Sequence, residues 1–144
     1  MTVQRPSAAL LDTSVLLRFF HDHRDAEQRA ADAVLAAWRA DTMQLVLMDL
    51  AVYELVNVAV RRLGLDRARA TTIVTDLFRF RMPMIVIDAG LARDTAAMAA
   101  ESGLSGYDAA FLAAARRCGV PLLTADRRLA DEEGAMALSD LGDA

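Results

Sequence analysis

Residues 8–20 read AALLDTSVLLRFF, and this stretch decides the fold. Four apolar residues are followed by Asp12 and then by a second apolar segment with helical spacing. The pattern predicts a short buried strand at residues 8–11 that leads into a helix at residues 14–20. A buried carboxylate is strongly unfavourable unless a partner pairs it or neutralises it. The rest of the chain is therefore expected to supply a partner for Asp12.

The same alternation of short apolar runs and helical patterns continues along the chain. It predicts an α/β fold in which a central parallel sheet of four to five short strands is flanked by helices. No composition shift marks a boundary, so we expect a single domain spanning residues 1–144. Further strands are expected at residues 45–48, 84–87, 120–124 and 135–138, and helices at 25–40, 49–63, 66–80, 89–102, 105–117 and 127–132.

The composition excludes several kinds of chemistry. The net charge is −4, and every cation is arginine because the chain contains no lysine. This excludes Schiff-base catalysis and the lysine-dependent phosphate loop. The single cysteine, Cys118, excludes an intrachain disulfide and is compatible with the cytoplasm, where we expect the protein. The longest apolar run, residues 109–115, is too short for a membrane span, so no membrane association is expected.

Four acidic residues are expected at one edge of the sheet, where parallel α/β folds bind ligands. Asp12 follows the first strand directly, and Asp126 follows the fourth after one residue. Glu54 and Asp108 lie in the first turns of helices. Each has a plainer alternative: Asp12 and Asp126 can be N-caps, Glu54 can favour the helix dipole, and Asp108 can form a capping box with Ser105.

Taken together, the four acids indicate a metal site. Converging carboxylates repel one another, which raises their pKa values unless a cation is present. The chain has no lysine to supply that cation. Carboxylate and water oxygens are the ligands that Mg²⁺ and Mn²⁺ prefer, so we expect one or two of these ions.

Three stretches carry a family resemblance: LLDTSVLL at residues 10–17, YELVNVAVRR at 53–62 and GLSGYDAAFLAAARRCGVPLLTADRRLA at 103–130. In order and spacing they resemble the PIN-domain ribonucleases, especially the VapC-type toxins of bacterial toxin–antitoxin pairs. The resemblance implies a PIN-like three-layer fold and a metal-dependent endoribonuclease that cuts RNA. It also implies a homodimer and a cognate antitoxin protein as partner.

Carried over position by position, the resemblance assigns the acidic site to Asp12, Glu54, Asp108 and Asp126, with Thr124 as a supporting hydroxyl. It implies that the three aspartates hold the metal and that Glu54 ligates through water or positions the attacking water. Hydrolysis is then expected to leave a 5′-phosphate and a 3′-hydroxyl. One departure is at position 49, where an aspartate that is predicted to cap the next helix replaces the usual Ser or Thr.

Two arginine pairs, Arg116–Arg117 and Arg127–Arg128, lie near the last two acids in sequence. One hypothesis is that they hold the RNA backbone on the rim of the site. The alternative is that each pair belongs to a solvated helix face.

The sequence His21-Asp22-His23 resembles a metal cluster, but we interpret it as a loop between helices, away from the acidic edge. The chain has no other histidine. The helical hairpin at residues 15–38 is expected to hold a partner helix, as the antitoxins of the family do.

Two other classes of function stay open. A phosphatase or a receiver-like domain also places an aspartate after its first strand, but both normally need a lysine near the site, and the phosphatase needs Asp-x-Asp. Here the motif is Asp-Thr-Ser and lysine is absent. A non-enzymatic interaction module with the same fold is the other alternative. Metal-dependent cleavage of structured RNA discriminates among these functions.

Overall fold

The computed structural model describes residues 4–141, and within them five strands form one parallel sheet. The strand order is β3-β2-β1-β4-β5, so the first strand of the chain lies at the centre. The strands are β1 (Ala8–Leu11), β2 (Gln44–Met48), β3 (Met84–Ile85), β4 (Leu122–Thr124) and β5 (Ala135–Ala137). The register pairs Leu10 with Val46 on one side and with Leu122 on the other.

Helices connect and cover these strands. They are α1 (Thr13–Leu16), which continues as a 3₁₀ turn at Leu17–Phe19, α2 (Ala26–Arg39), α3 (Asp49–Asn57), which continues as a π-helix at Val58–Arg62, α4 (Arg67–Arg79), α5 (Ala89–Ser102), α6 (Gly106–Cys118) and α7 (Arg127–Ala130). A last 3₁₀ turn covers Leu138–Leu141. Within residues 4–141, no helix combines the length and apolar character that crossing a membrane requires.

The core lies where α6 packs on the central strands β1 and β4. Every residue of α6 from Ala109 to Ala115 is buried, and five of these seven are alanines. Small side chains let a helix backbone approach the sheet closely, while Phe111 and Leu112 fill the space between the layers. This packing fixes the start of α6, and with it Asp108, beside the carboxyl ends of the strands.

The predicted three-layer α/β fold is confirmed, with five parallel strands. The predicted strand at residues 84–87 is too long, because pairing ends at Ile85 and the next two side chains, Val86 and Ile87, are 66% and 50% exposed. The predicted single domain includes residues 1–3 and 142–144, which lie outside the described residues.

Capping residues set the helix ends largely as expected. Asp66 caps α4 by accepting a hydrogen bond from the Arg69 N–H at 2.9 Å. The capping prediction for Asp49 is wrong by one position: α3 begins at Asp49 itself, whose carboxylate accepts a bond from the Leu50 N–H. At the end of α6, Gly119 adopts φ = 69°, in the left-handed region that favours glycine.

Candidate active site

An open cleft of about 750 Å³ lies at the carboxyl ends of the central strands. Asp12 reaches it from the end of β1, Glu54 from α3 after β2, and Asp126 from the segment after β4. The topology therefore gathers residues that are far apart in sequence. Asp108, at the start of α6, lies close enough to Asp12 and Asp126 for their charges to act on it.

Asp12 is held by three hydrogen bonds and is 7% exposed. Its Oδ1 accepts a bond from the Thr13 N–H at 2.8 Å, which is the N-cap interaction of α1. Its Oδ2 accepts bonds from the hydroxyls of Ser14 at 2.8 Å and Thr124 at 2.7 Å. Asp12 is therefore both a helix cap and a fixed carboxylate at the cleft, so the two interpretations of its position are compatible.

Thr124 and Ser14 connect β1 to the segment that carries Asp126. The Thr124 hydroxyl, which is fully buried, accepts a hydrogen bond from the Asp126 N–H at 3.0 Å. The Ser14 hydroxyl accepts one from the Ala125 N–H at 2.9 Å. Each hydroxyl thus donates to Asp12 and accepts from the chain after β4, which fixes the positions of the two aspartates relative to each other.

Asp126 is the N-cap of α7. Its Oδ1 accepts bonds from the Arg128 N–H at 2.9 Å and the Leu129 N–H at 3.4 Å. Both bonds use the same oxygen, so capping fixes the carboxylate without occupying Oδ2. The cap and the site interpretations are compatible here too.

The pKa values of Glu54 and Asp108 are raised, in part because like charges lie close together. Burial raises the pKa of Glu54, and the negative charges of Asp12 and Asp108 raise it further, against the lowering effect of a hydrogen bond from the Thr13 hydroxyl. Burial likewise raises the pKa of Asp108, with Asp12 and Asp126 adding to it. The Ser105 hydroxyl and the Arg128 charge act in the opposite direction. The four acids therefore form one electrostatic unit.

The donor set of this unit suits a hard divalent cation. All four side chains offer carboxylate oxygens, and a cation among them removes the repulsion that raises the two pKa values. Within residues 4–141, no three His, Cys, Asp or Glu side chains lie close enough together to form a ready-made metal cage. The donors fit the expected ion in chemistry and charge.

The two arginine pairs have different surroundings in the structure. The Arg117 guanidinium is bound to Asp88 at 2.9 Å and Asp94 at 3.1 Å on α5, and Arg116 donates to the Glu133 carbonyl at 2.6 Å. These interactions direct Arg116 and Arg117 towards neighbouring surface elements. Arg127 and Arg128 begin α7 directly after Asp126, and the Arg128 charge reaches Asp108.

The cleft is also lined by residues that were not assigned to it from the sequence. Thr13 and Ser14 follow directly from the Asp-Thr-Ser motif, which was itself the available signal. Residues 21–25 form a loop as predicted, but placing His23 away from the acidic edge is wrong, because its side chain lines the cleft. Asn57 and Arg62 line it as well.

Comparison with known proteins agrees with this geometry. The family model of the PIN domain matches residues 9–133, and the chain belongs to the PIN domain family. It is 34% identical over 110 residues to Ribonuclease VapC3 of Pyrobaculum aerophilum, covering 74% of this chain and 82% of that protein.

Two solved structures share the fold. The crystal structure of PAE2754 from Pyrobaculum aerophilum has a TM-score of 0.68 at 24% identity, covering 93% of this chain and 85% of that one. A toxin–antitoxin complex from Klebsiella pneumoniae has a TM-score of 0.65 at 23% identity, covering 90% and 97%. The expected PIN-like fold is confirmed.

Proposed function

We propose that this protein is a metal-dependent endoribonuclease and the toxin of a toxin–antitoxin pair. The observation that carries the proposal is an open cleft lined by Asp12, Glu54 and Asp126, with the carboxylate of Asp108 close enough to interact electrostatically with them. Its relation to Ribonuclease VapC3 supports RNA as the substrate. The two raised pKa values support a site that works with a divalent cation, Mg²⁺ or Mn²⁺, as one or two ions.

Asp12, Asp108 and Asp126 would hold the metal, and Glu54 would hold it directly or through water. When bound, the cation lowers the pKa of a water molecule and stabilises the negative charge that develops at the scissile phosphate. Thr13, Ser14 and Thr124 keep Asp12 in one orientation, so that little reorganisation is needed when substrate binds.

Glu54 is the candidate for accepting the proton of the attacking water. It lines the same cleft as Asp12, and in the metal-free protein burial and the neighbouring acids raise its pKa. The Thr13 hydroxyl donates to Oε2 of Glu54 and fixes the side chain on the cleft wall. No protein nucleophile is required, and membership of the PIN domain family supports attack by water with the 3′ oxygen as leaving group, which gives a 5′-phosphate and a 3′-hydroxyl.

The proposal includes the partners of such a toxin. The structural neighbour from Klebsiella pneumoniae is a toxin–antitoxin complex, which supports a cognate antitoxin for this chain. We also propose a homodimer, a single domain and a cytoplasmic location. Exposed apolar side chains such as Tyr53, Ile87 and Tyr107 offer surface for protein contacts.

The test is cleavage of structured RNA by the purified protein with Mg²⁺ or Mn²⁺ and with EDTA. We expect cleavage only with metal, and a loss of at least about a hundredfold in Asp12→Asn and in Asp108→Asn. Asp131→Asn is the matched control, because Asp131 is an exposed acid at the end of α7. Its activity is expected to equal that of the wild type.

Two results would reject the assignment. Cleavage that survives both substitutions, or that persists in EDTA, excludes a metal-dependent site at these carboxylates. Calorimetry with Mg²⁺ and Mn²⁺ provides a second measurement that does not depend on the choice of RNA. Absence of binding for both ions favours the interaction module instead.

A further inference from the structure

The lining of the cleft includes a part that contains no acid. We name Arg18, His23, Asn57 and Arg62 the basic wall; all four line the same cleft as Asp12 and Glu54. The metal-dependent mechanism assigns them no role. A cleft for RNA needs cationic and hydrogen-bonding groups that hold the backbone beyond the scissile phosphate, because the carboxylates themselves repel it.

A break in the helix geometry directs Arg62 into the cleft. In an uninterrupted α-helix, Arg62 would lie about 80° around the axis from Glu54. The π-helix at Val58–Arg62 absorbs one extra residue, marked by the Leu63 N–H bonding to the Val58 carbonyl, and returns Arg62 to within about 20° of Glu54. π-turns of this kind are rare and are frequent at functional sites.

The Arg62 guanidinium is available for a ligand. Among residues 4–141, no side chain forms an ion pair or a hydrogen bond with its exposed guanidinium. By contrast, Arg18, Arg79 and Arg117 are each paired with carboxylates. Arg61, the residue before it, is exposed but does not line the cleft.

His23 reaches the cleft on a loop that is held in place. The His23 N–H donates to the Gln28 side chain at 3.2 Å, and the Gln28 amide donates to the Arg18 carbonyl at 2.8 Å. Arg18, which is 9% exposed, binds Asp25 at 2.6 Å and so ties the end of the loop to the 3₁₀ turn after α1. The His23 Nδ1 donates to the His21 carbonyl at 3.0 Å, which leaves Nε2 of the neutral ring as a hydrogen-bond acceptor.

We propose that Arg62 binds a phosphate of the RNA strand next to the scissile one, that His23 Nε2 accepts a hydrogen bond from a ribose 2′-hydroxyl, and that the Asn57 amide bonds to the sugar or base beside it. This inference rests on the proposed ribonuclease function and assigns the position of the strand in the cleft. Arg18 is a positioning residue, because its guanidinium is already paired and its role is to hold the loop of His23. The ligand is the sugar–phosphate backbone of the RNA strand that is cut, in a conformation that bridges the acids and the basic wall.

The test compares Arg62→Gln with Arg61→Gln, two substitutions that remove the same charge from neighbouring positions. Steady-state cleavage with Mg²⁺ is expected to show KM raised about tenfold for Arg62→Gln and kcat nearly unchanged, since one charge-assisted contact to substrate is lost away from the scissile phosphate. His23→Ala is expected to raise KM in the same way, whereas His21→Ala is not. Thermal melting of all four variants checks that each is folded.

Binding supplies a second readout. A short fluorescein-labelled single-stranded RNA is titrated by anisotropy in the Asp108→Asn background with Mg²⁺, across about 50 to 200 mM salt. Loss of one phosphate contact lowers the slope of log K against log salt by about 0.7 for Arg62→Gln, with no change for Arg61→Gln.

The outcomes separate this inference from the function on which it rests. If the wild type cleaves RNA but Arg62→Gln matches Arg61→Gln in KM and in salt slope, the basic wall does not bind the strand and this inference alone fails. If the wild type neither binds nor cleaves RNA, the proposed function itself fails.

Discussion

Replacing Thr124 by valine keeps the shape of the side chain and removes one hydroxyl. That hydroxyl donates to Asp12 at 2.7 Å and accepts from the Asp126 N–H at 3.0 Å, in a fully buried position. A hydrogen bond to a charged group contributes about 1.5–3 kcal/mol, and a buried N–H left without a partner costs about 1–3 kcal/mol. Because Ser14 still donates to Asp12, we expect a net loss of about 2–3 kcal/mol in the free energy of unfolding.

The assay is thermal and urea unfolding of Thr124→Val beside Thr124→Ser and Thr75→Val. For a domain of this size the expected fall in Tm is roughly 6–10 °C. Thr124→Ser retains the hydroxyl and loses only a methyl group, so its cost is about 1 kcal/mol. Thr75→Val removes a hydroxyl that bonds only to its own exposed helix, and its effect is expected within about 0.5 kcal/mol. If Thr124→Val is no less stable than Thr124→Ser, the hydroxyl does not hold the two aspartates together.

Two further predictions concern pH and backbone conformation. Because the pKa values of Glu54 and Asp108 are raised in the folded protein, the folded state binds protons more tightly than the unfolded state, so without metal the stability falls as pH rises through these raised values. Mg²⁺ or Mn²⁺ binds the deprotonated acids and should reverse that loss of stability. The rise in Tm on adding metal is therefore expected to increase from about pH 4 to pH 8. A rise in Tm that is independent of pH would contradict the assignment. Separately, Gly119→Ala is expected to lower the free energy of unfolding by about 1 kcal/mol, because Gly119 has φ = 69°. Gly106→Ala, at the start of α6, should be neutral or slightly stabilising, because nothing lies close to the added methyl group. Equal Tm values for the two variants would refute this reasoning.

Much of the fold could be predicted from the sequence because local pattern and tertiary packing agree. The sequence patterns of strand β1, of the Asp12 cap and of the Ala-rich helix α6 each predict the element that the structure contains. The end of β3 was less predictable. Val86 and Ile87 have the apolar character of strand residues. However, β3 is an edge strand, and its pairing ends where its neighbour β2 ends. The residues of β3 themselves do not indicate the length of β2.

For the site, the sequence predicted which acids meet at one edge but not the geometry around them. The π-helix at Val58–Arg62 is invisible in the sequence, because Val-Ala-Val-Arg-Arg is equally compatible with an α-helix, and the choice depends on how its apolar residues pack. His23 was missed because the path of a loop depends on tertiary anchors. Its anchors, Gln28 and Arg18, lie on different elements.

The central position of β1 has a consequence for synthesis. The strand that carries Asp12 emerges first, yet one of its two neighbours, β4, belongs to the last part of the chain. A nascent polypeptide that has not reached Thr124 and Asp126 lacks both the hydroxyl that orients the first aspartate and the acid that completes the cluster. The acidic site therefore cannot assemble until the chain has been translated beyond residue 126.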